Sequence, residues 1–135
     1  VYTLSWEELK ELSDQGVTIS AHTHNHPILT QIPIEDARNE IKTSQETIFK
    51  NIGKTLPIFA FPDGKNYATN KKLVQILREE GFVAAFTTIE GRANLNHDDH
   101  FLIPRLGIWS GLNLGRFHFH LTPYYDFRIR KRVSI

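Results

Sequence analysis

The order of patterns along these 135 residues predicts an α/β fold built on a parallel sheet. Helical and strand-like patterns alternate from residue 5 to residue 86. The strand-like runs are short and apolar. Turn-forming and chemistry-bearing residues collect directly after them. Such alternation implies parallel strands joined by crossover helices, with ligands bound beyond the carboxyl ends of the strands.

Each element has a local reason. Ser5-Trp6-Glu7-Glu8 is a capping-box pattern that opens a helix, with Leu9 and Leu12 on one face and Gly16 closing it. Val17-Thr18-Ile19-Ser20-Ala21 reads as a strand. Ala37, Ile41, Ser44, Ile48 and Ile52 recur at helical spacing, and Gly53 ends that second helix. Residues 57–61 form an apolar strand broken by Pro62-Asp63-Gly64. A third helix starts near Asn70, carries Leu73, Ile76 and Leu77, and stops at Gly81. Residues 82–86 lack polar alternation, as a strand buried on both faces would. A polar loop is expected from Thr87 to His100, then an extended stretch over 101–109 interrupted at Pro104. Leu114, Phe117, Leu121 and Tyr124 favour a helix over the competing strand alternation. The basic run Arg128 to Arg132 reads as a solvated terminus.

Composition narrows the function classes. A hydrophobic content of 40% and 23% charged residues suit one soluble domain with a real core. The formal net charge of +1 gives no reason to expect a nucleic-acid partner. No run approaches the roughly 20 apolar residues of a membrane span. The first residues show no signal peptide, and the absence of an initial Met suggests a processed or truncated product. Cysteine is absent, so any metal must take His, Asp or Glu.

The chemistry concentrates in Ala21-His22-Thr23-His24-Asn25-His26-Pro27, which holds three of the seven histidines. Imidazole is a common ligand for divalent transition metals, and a strand end is where a site is expected. Two metal readings compete. If the backbone stays extended, His22 and His26 face one side and His24 the other, with Thr23 and Asn25 orienting the rings. Alternatively, His22 and His24 form a His-x-His pair. Either way the set needs a third ligand. Pro62-Asp63-Gly64, Thr87-Thr88 and Arg105 follow or lie in the later strands, so these groups can converge although distant in sequence.

The ordered motifs resemble the polysaccharide deacetylases, the NodB-homology domain of carbohydrate esterase family 4. His22-Thr23-His24-Asn25-His26-Pro27 with Leu29-Thr30 is similar to that family's zinc motif. Residues 35–41 resemble the helix that follows it. Phe59-Ala60-Phe61-Pro62-Asp63-Gly64 resembles the next motif, and residues 81–88 and 103–108 sit where members have theirs. The resemblance implies a distorted (β/α) barrel and a metal-dependent hydrolase removing N-acetyl or O-acetyl groups from a polysaccharide or oligosaccharide. It makes His22 and His26 ligands to Zn2+ or another divalent metal. A backbone N–H after Pro62 would stabilise the oxyanion, Pro62 and Gly64 would line the substrate, and Arg105 would orient an acidic base. A secreted or cell-envelope location is consistent with the family.

This chain departs from the family at three points. The upstream Thr-Phe-Asp-Asp, whose aspartates serve as base and third ligand, lies outside it. Asp63 replaces an aromatic residue; it either forms a turn with Gly64 or supplies a carboxylate to the site. The late Leu-x-His has no clean counterpart, and His118 and His120 read as packing residues. His97-Asp98-Asp99-His100 looks metal-like but reads as a solvated loop. Barrels of this class need about 200 residues or more. The expectation is therefore one domain over 1–135, truncated at its N-terminus, with 110–135 as a C-terminal extension. A missing segment or an oligomeric partner would cover the open sheet. The rival readings are a non-catalytic carbohydrate-binding or structural remnant of the fold, and a His-x-His amidohydrolase or phosphoesterase.

Overall fold

The computed structural model describes residues 3–96 and 98–125. The expected basic tail lies outside the described residues. Helix α1 (Trp6–Asp14) opens on the expected capping box: Ser5 N–H donates to Glu8 Oε2 at 2.7 Å, and Glu8 N–H donates to Ser5 Oγ at 3.2 Å. Helix α2 (Ile34–Ile52) buries Ala37, Ile41, Ser44, Ile48 and Ile52, the five positions the periodicity marks. It ends at Gly53, whose φ of 83° is left-handed and free of strain only without a Cβ. Strand β1 (Ile58–Ala60) leads to helix α3 (Lys71–Glu79), where the Asn70 side chain accepts from Leu73 N–H at 3.0 Å. Leu73, Ile76 and Leu77 are its buried stripe. Strands β2 (Ala84–Glu90) and β3 (Ile103–Arg105) and helix α4 (Leu114–His120) follow. Short 3₁₀ turns occupy Leu29–Gln31 and Asn66–Ala68.

The sheet is parallel, with strand order β1-β2-β3. Ala21 adds a single parallel bridge to Phe59 on the other side of β1. The expected strand over 17–21 is thus reduced to one bridged residue. The reason lies in Ser20, whose hydroxyl bonds the carbonyls of Leu56 and Ile58. Side-chain bonds of this kind compete with a backbone ladder. β2 runs to Glu90, deeper into the expected polar loop, because Thr87 is wholly buried and donates from Oγ1 to the Ile103 carbonyl at 3.1 Å. The extended stretch expected over 101–109 shrinks to three residues. Pro104 sits inside it, which an edge strand tolerates.

Core residues Phe59, Phe61 and Ala85 pack with Ile41, Leu73 and Leu77 of the helices. Alternate residues of the strands point to the opposite face. There Ile58, Ala60 and Phe86 line an apolar cavity of about 350 Å³ that reaches Ala21 and His22. The strand over 82–86 is therefore not buried on both faces; Val83 is 59% exposed. Apolar side chains also stay exposed at the edge, Val17 and Leu56 among them.

Two packing predictions follow directly. Ile41 has no exposed surface. Ile41→Ala is expected to cost about 2–5 kcal/mol in urea unfolding. Arg38 ties α2 to α3, with Nη2 2.5 Å from Glu79 and Nη1 2.7 Å from Glu80. The Arg38 guanidinium, and after it the Gln75 amide, holds the Glu79 carboxyl below its usual range. A carboxylate depressed in the folded state stabilises above its unfolded pKa and loses that contribution as pH falls through the folded value. The small drop in denaturation midpoint caused by Arg38→Gln at pH 7 should therefore vanish as the solution is acidified below the normal glutamate range.

Candidate metal centre

The histidine loop leaves the sheet at its Ala21 bridge. Ala60 N–H donates to the Ala21 carbonyl at 3.0 Å. The Ala60 carbonyl lies 2.7 Å from His22 Nδ1. A carbonyl only accepts, so Nδ1 carries the proton, and in the neutral ring Nε2 keeps its lone pair. The His22 and His26 rings meet edge to face, 4.8 Å between centroids at an interplanar angle of 77°.

They do not meet through an extended backbone, as the sequence reading supposed. Thr23 and His26 both take left-handed φ values, 65° and 59°, so the chain turns between them. Helix α2 holds this turn. Glu40 accepts from His24 N–H at 2.9 Å, Asn25 N–H at 2.7 Å and Asn25 Nδ2 at 2.7 Å. Ser44 Oγ accepts from His22 N–H at 3.3 Å. Burial raises the Glu40 carboxyl, but the donors from Asn25 and His24 outweigh it and leave the group below the usual glutamate range. Asn25 therefore serves Glu40 rather than orienting an imidazole. Thr23 Oγ1 is buried without a hydrogen-bond partner among the described residues.

The turn after β1 begins two residues beyond Ala60, the partner of His22. Pro62 and Gly64 are buried. Gly64 has φ +62°, and a Cβ there would lie 2.7 Å from Thr88 N. Thr88 N–H donates to the Gly64 carbonyl at 3.0 Å, and the Thr88 hydroxyl bonds the Asp63 carbonyl. The turn is thus stitched to the end of β2. Asp63 also has a left-handed φ, 57°. Its carboxylate bonds the Tyr67 hydroxyl and lies 3.7 Å from Lys65 Nζ. Arg105 donates from Nε to the Thr87 carbonyl at 2.6 Å and forms no ion pair among the described residues.

The remaining candidates are occupied elsewhere. Asp98 and Asp99 accept from the N–H groups of Asn94 and Phe101 at 2.6 and 2.9 Å, and His100 Nε2 lies 2.9 Å from the Leu95 carbonyl. His97 lies outside the described residues. His118 is exposed; His120 is buried, stacked on Tyr125 at 4.0 Å and 5.5 Å from Trp109. Among the described residues no group of three His, Cys, Asp or Glu can hold a metal ion. The structure thus brings His22 and His26 together, adds neither His24 nor Asp63 to them as a ligand set, and ties His22 to Ala60, two residues before the 62–64 turn. Glu40 and Tyr67 escaped notice as site residues in the sequence, whereas Thr88 was among the groups expected to converge there. Only Glu40 carried a signal, an acidic residue beside the buried positions Ala37 and Ile41.

Gly64→Ala is expected to cost at least about 1 kcal/mol in chemical denaturation, because a Cβ at positive φ meets backbone. An unchanged midpoint would show that the turn relaxes freely.

Comparison with known proteins places this geometry in context. A protein-family model described as polysaccharide deacetylase matches residues 2–85. No curated protein matches. Among solved structures, the chain is similar to the Streptococcus pyogenes deacetylase PplD in complex with acetate: 24% identity and TM-score 0.80 over 91% of this chain and 53% of that one. It is also similar to a polysaccharide deacetylase from Bacillus cereus, at 24% identity and TM-score 0.78 over 89% of this chain and 37% of that one. The deacetylase domain of BpsB from Bordetella bronchiseptica follows, at 21% identity and TM-score 0.65 over 78% and 49%. At these identities the shared property is the fold. The chain spans about half the length of these structures or less.

Proposed function

This chain belongs to the polysaccharide deacetylase family, and from that premise we propose that it carries the histidine part of the metal centre of a deacetylase. The substrate is an N- or O-acetylated polysaccharide or oligosaccharide. The observation that best supports this is the His22–His26 pair, with His22 Nδ1 committed to a carbonyl and Nε2 left to bind. A divalent metal, zinc by family resemblance, polarises the acetyl carbonyl and activates water when bound.

The described residues fit that ion in part: they offer two imidazoles and no third ligand. By the family pattern, the third ligand and the base are aspartates on another segment. The chain's own residues do the rest. Asp63 offers its backbone N–H, which makes no backbone hydrogen bond among the described residues, to the oxyanion. Its carboxylate is turned to Tyr67 and Lys65 and is not the base. Pro62 and Gly64 shape the substrate-facing turn. Arg105, fixed to β2 through Thr87, orients the incoming base carboxylate. One observation favours a second reading, a carbohydrate-binding remnant: the absence of a complete ligand set among the described residues.

Zinc titration combined with acetate release from N-acetylglucosamine oligomers separates the readings. His22→Ala and His26→Ala should each weaken zinc binding by at least about 100-fold, and His24→Ala by less than about 3-fold. An equal loss at His24 would favour the His-x-His reading. Zinc bound with acetate released supports the enzyme; zinc bound without release fits a remnant or an enzyme whose base lies on another segment. No binding even at high zinc removes both metal readings, the deacetylase and the His-x-His hydrolase.

A further inference from the structure

We propose that Glu40 is the positioning residue of the His22–His26 pair; the proposal rests on reading that pair as a metal centre. Glu40 touches neither imidazole. It acts through the backbone between them. Its Oε2 receives two consecutive N–H groups, those of His24 and Asn25, and its Oε1 receives the Asn25 amide. Consecutive N–H groups converging on one point form a concave receptor for an anion. Here helix α2 supplies that anion.

The turn needs such a partner. Thr23 is β-branched and sits at φ 65°, where non-glycine residues are uncommon. Its hydroxyl makes no compensating hydrogen bond among the described residues. The carboxylate is the group that offsets this conformation. The ring pair depends on the turn in turn. Four residues of extended chain would separate the two Cα atoms by roughly 13 Å. The left-handed residues Thr23 and His26 bend the chain instead, and the ring centroids lie 4.8 Å apart. The same helix holds the other end of the loop through Ser44 Oγ. Glu40 and Ser44 are four apart and therefore lie one above the other on α2. The helix grips the loop on both sides of Thr23.

The test uses Glu40→Ala and Glu40→Gln in the 135-residue chain. Three quantities are read: the cross-ring nuclear Overhauser effect between His22 and His26 without metal, exchange rates of the His24 and Asn25 amides, and the zinc dissociation constant at pH 7. Glu40→Ala is expected to abolish the cross-ring signal, speed exchange of both loop amides while the Phe59 and Ile41 amides stay protected, and weaken zinc about 10–100-fold. Glu40→Gln should fall between Ala and the parent, since it keeps an acceptor oxygen but loses the charge. If the alanine variant does not fold, the glutamine variant carries the comparison. Faster loop exchange with an intact cross-ring signal and unchanged zinc affinity would overturn the proposal and leave Glu40 a staple of the fold. If the parent binds no zinc, the metal reading fails by itself. The cross-ring signal then decides for Glu40: loss in the variant sustains the positioning role, and retention overturns it.

Discussion

The site depends on one residue with no functional side chain. Ala60 uses both backbone groups on the histidine segment: its N–H closes the bridge to Ala21 and its carbonyl takes the proton of His22 Nδ1. The first sets the height of the loop on the sheet. The second sets the tautomer and direction of the imidazole. Both use only the backbone of Ala60, so they survive almost any side chain at position 60. The ring would lose them only if β1 itself shifted. β1 in turn is fixed by Phe59, wholly buried, and by in-register pairing of Ile58, Phe59 and Ala60 with Ala84, Ala85 and Phe86. The accuracy of the histidine pair is thus borrowed from the core.

Helix α2 serves both sides of this arrangement. Ala37, Ile41 and Ile48 belong to the core, while Glu40 and Ser44 hold the loop. A helix that packs this firmly is a rigid mount. The face of the sheet away from the helices is different. Ile58, Ala60 and Phe86 line an apolar cavity there, and it ends at His22. Helix α2 holds the histidine loop from one side, and His22 also borders this cavity on the other.

How much of this was legible in the sequence depended on whether one residue or many carried the signal. The stripes on α2 and α3 were readable because each repeats several times, and their buried positions are those the period marks. The short strand before the loop was not, because the single O–H of Ser20, shared between the carbonyls of Leu56 and Ile58, competes with the ladder a longer strand would have used. The length of β2 was hidden for the opposite reason: Thr87 and Thr88 look like loop residues until their hydroxyls are seen to bond neighbouring chain. At the site, the type and clustering of His22 and His26 pointed to a metal. The turn that joins them was invisible, because Thr23 carries no mark of a left-handed conformation. Glu40 reads as one more surface glutamate until the fold places its carboxylate under two amides.

The alternation of left-handed and ordinary backbone between His22 and His26 bears on how such a chain drifts over generations. Insertions or deletions of one residue there would move Asn25 off its carboxylate and rotate one ring away from the other, so length in this loop is held constant by geometry. No comparable left-handed turn acts on the described residues of 91–100, which are mostly exposed. Lineages of this protein should therefore accumulate changes in loop length beyond β2 while the histidine loop stays at a single length. A chain that breaks that rule would be expected to have given up the paired imidazoles before it gave up the fold.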